Sequence, residues 1–298
     1  MKGRKKMSDG PRFLIVDGYP QESRDQFREV GMRLAWELYR DMLIACLPDA
    51  QYDIWLSSDP GVKAPTNRHL ENYVGILWPG CNLTVYNLDD PRVLAHLDLA
   101  ERAYEAGVPG FGTCWGIQVA VAAAGGEVGP NPKGREMGVG RKIRLTESGR
   151  RHPMYDGKPS VFDGFVSHDD EVKKLPPGAT LLAGNDFSEV HAVSVTHRRG
   201  TFWGLQYHPE YDAHEMARLI VAREARLVKQ GFFQGHDDLA RYVDKLEALH
   251  AHPDCKALRW QLGIDDTILY TPVRQCEFIN WIDKLVLPTA GLPPRARE

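Results

Sequence analysis

The sequence reads Val108-Pro-Gly-Phe-Gly-Thr-Cys-Trp-Gly-Ile-Gln118, an apolar stretch that ends in a cysteine between two glycines. Helix-prone residues continue through positions 118–124, so this pattern predicts a buried strand, a sharp turn and then a helix. The turn would expose the sulfur of Cys114 beside the amino end of the helix, where the thiolate form that attacks a carbonyl group is favoured. The local sequence therefore predicts a nucleophilic cysteine.

A second segment, His208-Pro-Glu210, offers the base that such a thiol needs. The imidazole of His208 would take up and return a proton, and the Glu210 carboxylate would orient the ring. The glycines beside Cys114 allow a substrate to approach closely and leave the N–H of Trp115 to face a developing oxyanion. A lone cysteine is more often an inert buried thiol, and we expect that of the other four, Cys46, Cys81, Cys255 and Cys276, with partial exposure open for Cys81 because it lies beside Gly80.

The rest of the first two hundred residues alternates between strand and helix patterns. Apolar residues at helical spacing predict helices over residues 21–46 and 91–106. Between them lie stretches of strand composition, at residues 12–17, 52–56, 74–78 and 108–111. This alternation predicts an α/β fold with a parallel core, and short alternating runs over residues 141–195 predict antiparallel strands that extend the sheet. Ligands bind beyond the carboxyl ends of such strands, so Cys114 and His208 should face one crevice.

These segments resemble the class I (triad-type) glutamine amidotransferases, and more narrowly the amidotransferase domain of GMP synthase and its stand-alone relatives. The resemblance covers about residues 12–213, and its motifs follow the order of the family. Besides the cysteine segment they are Gly80-Cys-Asn-Leu-Thr-Val-Tyr86, Gly134-Arg-Glu-Met-Gly138, Ser167-His-Asp-Asp-Glu-Val172 and Gly204-Leu-Gln-Tyr-His-Pro-Glu210. The chain departs from the family at Trp78-Pro79, where relatives usually have small residues or a second glycine.

The resemblance implies a flavodoxin-like, doubly wound and mostly parallel open sheet. It also implies a role for each matching residue. Cys114 would be the nucleophile, His208 the general base and acid, and Glu210 its partner. The oxyanion would receive N–H groups from Gly80 and Trp115, and the glutamine would be held by Gln118, Ser167 and His168. For His168 a structural role, holding its loop by a hydrogen bond, is an equal alternative.

Three segments are expected along the chain. Residues 1–11 form a basic, disordered start, residues 12–213 the amidotransferase domain, and residues 214–298 a helical extension that the family domain does not need. Helices are predicted at about 214–230, 237–251, 254–262 and 273–286. Six of the aromatic residues in the extension are expected to pack it against the α/β domain, the alternative being that the extension forms a dimer or synthase-docking surface: Phe232, Phe233, Trp260, Tyr270, Phe278 and Trp281.

Composition excludes several classes of protein. The chain has 298 residues, 43% of them hydrophobic, and a formal net charge of −3, which gives no basic excess for nucleic acid or an anionic membrane. No apolar run approaches the roughly 20 residues of a membrane span, so we expect a cytoplasmic protein. Its five cysteines are an odd number and contain no Cys-x-x-Cys pair, so the sequence suggests neither a disulfide framework nor a zinc site. Because His250 and His252 are isolated and no phosphate loop is present, we expect neither a metal nor a cofactor.

Three functions remain open. The first is hydrolysis of the glutamine side-chain amide through a glutamyl thioester, with the ammonia passed to a synthase. That synthase would be another chain, because this sequence lacks the Ser-Gly-Gly-x-Asp-Ser type of ATP pyrophosphatase loop. The second is a stand-alone γ-glutamyl amide hydrolase with a wider pocket, shaped by Trp78-Pro79 and the C-terminal helices. The third is a catalytically silent binding module. The sequence leaves the oligomeric state open, a homodimer included.

Overall fold

The structure is a computed structural model that describes residues 10–295, so residues 1–9 of the predicted basic start lie outside it. Its strands are β1 (Arg12–Asp17), β2 (Gln51–Leu56), β3 (Gly75–Trp78), β4 (Gly110–Thr113), β5 (Glu127–Pro130), β6 (Glu136–Leu145), β7 (Val161–His168), β8 (Asp170–Lys174), β9 (Ala179–Gly184), β10 (Ala192–His197) and β11 (Gly200–Leu205).

Nine of these strands form one sheet in the order β2-β1-β3-β4-β11-β10-β9-β6-β7. Strands β1 to β4 and β11 run parallel, and antiparallel pairing from β11 through β10, β9 and β6 to β7 extends the sheet. The two remaining strands, β5 and β8, pair antiparallel with each other. This confirms the predicted doubly wound α/β sheet and its antiparallel extension.

The helices fill the connections and the C-terminal part. They are α1 (Gln21–Glu29), α2 (Ala35–Cys46), α3 (Asn67–Leu70), α4 (Pro91–Ala106), α5 (Trp115–Ala123), α6 (Glu147–Arg151), α7 (Ala213–Ala222), α8 (Glu224–Lys229), α9 (His236–Ala251), α10 (Lys256–Leu262), α11 (Asp266–Leu269), α12 (Thr271–Arg274), α13 (Cys276–Trp281) and α14 (Leu287–Ala290). Within the described residues, none of these helices has the length and apolar character needed to cross a membrane.

Both faces of the sheet are covered. Side chains alternate along β1, so that Phe13 and Ile15 join one buried cluster while Leu14 and Val16 join another. Helix α2 and the C-terminal helix α13 contribute to the first cluster, and helices α4 and α5 contribute to the second. A sheet buried on both faces explains why its central strands read as continuous apolar runs.

The C-terminal helices are part of this core. The ring of Trp281 lies 5.7 Å from that of Phe111 in β4, between ring centroids. Nearby, the buried carboxylate of Glu277 pairs with Lys158 Nζ at 2.9 Å and accepts a hydrogen bond of 2.6 Å from the hydroxyl of Tyr207. The prediction that the aromatic residues pack against the sheet is therefore right for residues such as Trp281.

Other aromatic residues of this segment do not pack in that way. Trp260 has 85% of its surface exposed, Tyr270 has 57% and Phe232 has 39%. Trp260 and Tyr270 lie on or beside short helices whose turns place part of their side chains outward, and Phe232 lies between α8 and α9. For these three residues the packing prediction is wrong.

Three predicted helices are broken. Residues 21–46 form α1 and α2, separated by a turn in which Gly31 has a φ of 79° and the N–H of Met32 bonds back to the Phe27 carbonyl at 2.8 Å. Residues 214–230 divide into α7 and α8 at Arg223, and residues 273–286 divide at Gln275 into the end of α12 and α13, which continues into a π-helical turn. The strand predicted at 108–111 begins at Gly110 and continues to Thr113. The apolar pattern alone did not reveal these breaks.

Candidate active site

Cys114 occupies the turn between β4 and α5, as predicted, but the residue is buried with 8% of its surface accessible, at the wall of a cavity, and the predicted exposure of the sulfur is therefore wrong. Its backbone has φ 50° and ψ −96°, a conformation that residues other than glycine rarely adopt. A hydrogen bond of 2.8 Å from its N–H to the Leu205 carbonyl ties this turn to the end of β11. Gly116 is required behind it, since an added Cβ would lie 2.4 Å from the Trp78 carbonyl oxygen. Strain of this kind is often retained where it positions a reactive side chain.

His208 lies just beyond β11, which pairs in parallel with β4, so both strands deliver their residues to the same edge of the sheet. Its Nδ1 is 2.7 Å from Oε1 of Glu210, and both side chains are buried. The ring of Tyr211 stacks on the imidazole at 4.3 Å between centroids, with 7° between the planes. The backbone N–H of His208 donates to the backbone carbonyl of Phe165 at 2.8 Å. The imidazole is therefore held on several sides.

The surroundings of His208 favour its charged form. Burial lowers the pKa of an imidazole, but the Glu210 carboxylate and the Cys114 sulfur act more strongly together and raise the pKa of His208 to about 10. Near neutral pH the ring therefore carries a proton. A protonated imidazole beside a cysteine suits a thiolate–imidazolium pair.

A cavity of about 260 Å³ opens above this pair. Gly80 lines it, and a Cβ added there would lie 3.0 Å from His208 Cε1 and 3.4 Å from Cys114 Cβ. Trp78 is buried, packs against Phe202 at 5.6 Å between centroids, and is absent from the cavity wall. The suggestion that Trp78-Pro79 shapes a wider pocket is therefore wrong for Trp78.

The other predicted site residues divide into two groups. Gln118, Ser167 and His168 all line the cavity, and the Ser167 carbonyl oxygen is 3.7 Å from Cys114 Sγ. The side chain of Trp115 is buried and turned away, and its indole N–H donates to His96 Nδ1 at 3.2 Å. Any contribution of Trp115 to an oxyanion site would thus come from its backbone.

One wall of the cavity is charged, and sequence reasoning assigned it no role. Asp169 accepts a hydrogen bond from Arg226 at 2.8 Å and pairs with Arg135. Tyr86 donates to Asp170 at 3.0 Å, and burial raises the pKa of that carboxyl group. Four of these residues lie inside the motifs that carry the family resemblance, and that position was the signal that could have identified them. Arg226 comes from the C-terminal helices, where no pattern marked it.

Three more residues of the wall were also missed: Tyr19, Leu219 and Arg223. Tyr19 follows β1, whereas Leu219 lies in α7 and Arg223 directly follows it. The C-terminal helices therefore form part of the cavity itself. This agrees with the suggestion that they shape the pocket.

Beneath the cavity lies a buried cluster of Glu136, His168 and His191. Their donor atoms are all within 4.8 Å of one another, a grouping that could hold a metal ion. As it stands, His168 Nε2 bonds to Glu136 Oε2 at 2.9 Å, whereas His191 Nε2 lies 3.2 Å from the same oxygen without the geometry of a hydrogen bond. Although burial favours the neutral acid, the two histidines hold the pKa of Glu136 well below its usual range. His168 thus lines the cavity and also anchors its loop.

The chain is similar to several known proteins. Residues 57–227 match the family model for glutamine amidotransferase class-I. The gamma-glutamyl-L-1-hydroxyisopropylamide hydrolase of a Pseudomonas species is 34% identical over 284 residues, which cover 94% of each chain. GMP synthase of Nitrosomonas eutropha is 38% identical over 154 residues, but these cover 50% of this chain and only 28% of that protein.

Solved structures of other proteins share this fold. A glutamine amidotransferase from Thermotoga maritima superposes with a TM-score of 0.64 at 19% identity, covering 93% of this chain and 98% of the other. Its coverage extends well beyond the residues that the family model matches. With both the family model and a relative matched along nearly its whole length, the chain belongs to the class I glutamine amidotransferase family.

Proposed function

We propose that the protein hydrolyses γ-glutamyl amides through a Cys114–His208–Glu210 triad and releases the amine without passing it to a synthase. The observation that carries this proposal is the origin of the cavity wall: Leu219, Arg223 and Arg226 come from the chain's own C-terminal helices. The similarity to the Pseudomonas hydrolase extends over 94% of the chain and therefore includes this wall.

The reaction would begin with attack by the Cys114 thiolate on the γ-carbonyl carbon, which forms a C–S bond and a tetrahedral oxyanion. Backbone N–H groups of Gly80 and Trp115 would receive that oxyanion, each donor contributing about 3 kcal/mol to the transition state. The His208 imidazolium then gives its proton to the leaving nitrogen as the C–N bond breaks. The products of this half-reaction are a free amine and a glutamyl thioester.

Water completes the cycle. Neutral His208 removes a proton from the attacking water, the C–S bond breaks, and glutamate leaves while Cys114 returns to the thiolate. Glu210 keeps Nδ1 of the ring engaged at 2.7 Å, which leaves Nε2 for both proton transfers. Gln118, Ser167 and His168 would hold the glutamyl group. A soluble cytoplasmic location remains part of this proposal.

A second candidate keeps glutamine as the substrate and ammonia as the product, with a synthase on another chain as the acceptor. The similarity to GMP synthases favours it, although the chain matches only about a quarter of those proteins, as the 28% coverage of the Nitrosomonas protein illustrates. The two candidates share the triad and differ in the leaving group.

The deciding experiment measures glutamate release by the full-length protein from γ-glutamyl methylamide, γ-glutamyl ethylamide and glutamine. We expect the alkylamides to be cleaved with a kcat/KM at least ~10-fold above that of glutamine, because one or two well-placed apolar contacts give a factor of that order. Cys114→Ala should abolish cleavage. Cys255→Ala, which changes a thiol outside the cavity, should retain it.

Each other outcome has a clear meaning. Cleavage of glutamine alone would support the second candidate. A Cys114→Ala variant that keeps full activity would refute the triad, and inactivity of the wild type on all three amides would favour the silent binding module.

A further inference from the structure

The substrate cavity contains more positive than negative side chains. Its wall carries Arg135, Arg223 and Arg226 against Asp169 and Asp170. Asp169 is shared by Arg135 and Arg226, while Asp170 accepts the hydroxyl of Tyr86. Both carboxylates of this wall are therefore already engaged, and one arginine remains.

That arginine is Arg223. Among residues 10–295 it forms no ion pair with any carboxylate, unlike the two other arginines of the wall. Its guanidinium carbon lies 5.4 Å from the centroid of the Phe27 ring, which supports it from one side. A half-buried guanidinium with an aromatic support and no anionic partner is suited to a carboxylate ligand, because the two groups match in charge and in planar geometry.

Local structure fixes where this side chain begins. Arg223 ends α7, and its N–H donates to the carbonyls of Leu219 and Ile220 at 3.1 and 3.2 Å. Leu219, one turn earlier, also lines the cavity. Tyr19, which follows β1, lines the same cavity as Arg223, so this arginine faces the site from the C-terminal side of the fold.

We propose that Arg223 binds a carboxylate of the substrate and so makes the C-terminal helices a specificity element of the site. This inference rests on the proposed function, since it assumes a γ-glutamyl ligand in this cavity. The carboxylate has two sources, the α-carboxylate of the glutamyl group or an acidic group on the leaving amine. Both present the same chemistry to the guanidinium.

Three substrates separate the sources. γ-Glutamyl methylamide carries only the α-carboxylate, γ-glutamylglycine carries one carboxylate at each end, and 4-aminobutanoyl methylamide carries none. Arg223→Gln should raise KM for the substrates that place a carboxylate on Arg223 by ~10–100-fold, the usual effect of one charge-assisted hydrogen-bonding pair. The value of kcat should change little, and Arg223→Lys should restore part of the affinity.

The pattern of loss identifies the carboxylate. If Arg223→Gln raises KM for both γ-glutamyl substrates and leaves KM for 4-aminobutanoyl methylamide unchanged, Arg223 binds the α-carboxylate. If it raises KM for γ-glutamylglycine alone, Arg223 binds the carboxylate of the leaving amine. An equal loss on all three substrates, or a loss on none, would overturn the inference. Arg241→Gln, a change of an exposed arginine in α9, is the matched control.

A binding measurement keeps this test independent of turnover. Titration calorimetry of Cys114→Ala with γ-glutamyl methylamide and with γ-glutamylglycine should give weaker binding of at least one of them when Arg223→Gln is added. If the wild type cleaves none of the substrates while this difference persists, the proposed hydrolysis fails and the carboxylate site stands. If adding Arg223→Gln to Cys114→Ala changes the affinity for neither ligand, the carboxylate site is rejected. Thermal melting of each variant verifies that the fold is retained.

Discussion

Thr113 and Glu210 are joined by a hydrogen bond in which the Thr113 hydroxyl donates to Oε1 of the carboxylate over 2.9 Å. The same oxygen lies 2.7 Å from His208 Nδ1. Tyr39 donates in turn to the Thr113 hydroxyl at 2.8 Å. Because Thr113 ends β4 and immediately precedes Cys114, the end of this strand both presents the proposed nucleophile and holds the Glu210 carboxylate beside His208.

Replacing Thr113 tests that link. Thr113→Val keeps the shape of the side chain but removes the donor to Glu210, and we expect kcat to fall about 10-fold, since a hydrogen bond to a charged group contributes roughly 1.5–3 kcal/mol. Steady-state kinetics on the best γ-glutamyl amide would measure this. Thr201→Val, on β11 and facing Thr196, should leave kcat unchanged. A Thr113 variant with wild-type kcat would mean that Glu210 needs no second support.

The raised pKa of His208 makes a prediction about pH. Protonated His208 is favoured by the fold, so its stabilising contribution is complete below about pH 6.5 and is lost as the pH rises through about 10. In Glu210→Gln the neutral amide no longer favours the charged ring, and we expect the loss to occur at lower pH. The difference in free energy of unfolding between pH 7 and pH 10 should therefore shrink in the variant.

The pH dependence of activity should also reflect the ionisation of His208. The alkaline limb of kcat/KM for the wild type should lie near the pKa of His208, and in Glu210→Gln it should move toward neutral pH. Denaturant melts and pH–rate profiles of the two proteins measure the two effects separately. An unshifted alkaline limb would show that Glu210 does not set this pKa.

A side chain at Gly80 would crowd the imidazole. An added Cβ would lie 3.0 Å from His208 Cε1, so Gly80→Ala should displace the ring by a few tenths of an ångström and lower kcat by about 10-fold, since a misplacement of about 1 Å can cost about 10²-fold. Stability should change far less than activity. At Gly129 an added Cβ would meet only the flexible Lys173 side chain, at 3.6 Å, so Gly129→Ala is the matched control. Equal activity of the two variants would contradict the close fit at Gly80.

The buried pair of Lys158 and Glu277 attaches the C-terminal helix α13 to the segment that precedes β7. Glu277→Ala would leave the Lys158 ammonium buried without its partner, which typically costs about 3–5 kcal/mol of unfolding free energy. Urea denaturation would measure the loss. Glu147→Ala, which removes the exposed partner of Arg151, should have little effect. A small loss in Glu277→Ala would indicate that water reaches the lysine.

The sequence predicted what depends on local pattern. Cys114 was recognisable because an apolar strand, two glycines and a helix surround it within a dozen residues. The helix predicted at residues 91–106 has those ends in the structure, where Pro91 begins it, the Asp90 side chain caps it and Gly107 ends it in a left-handed conformation.

What the sequence could not predict depends on contacts between distant segments. Tyr19 and Arg223 are separated by some two hundred positions, and only the packing of α7 beside α1 brings both to the cavity. The break at Gly31 left the apolar spacing intact, so no change of period marked it. The exposure of Trp260 was equally hidden, since hydrophobicity alone does not reveal which face of a short helix finds a neighbour.

The contact between Trp281 and Phe111 has a consequence for how the protein forms in the cell. Phe111 belongs to β4, the strand that precedes Cys114, and it packs against Trp281 and Phe278 as well as against Tyr39 of α2. During translation Phe278 and Trp281 leave the ribosome after every strand of the sheet has been made. The nascent chain must therefore wait for α13 before this strand is fully shielded from water, and until then the apolar surface that remains exposed is open to chaperones.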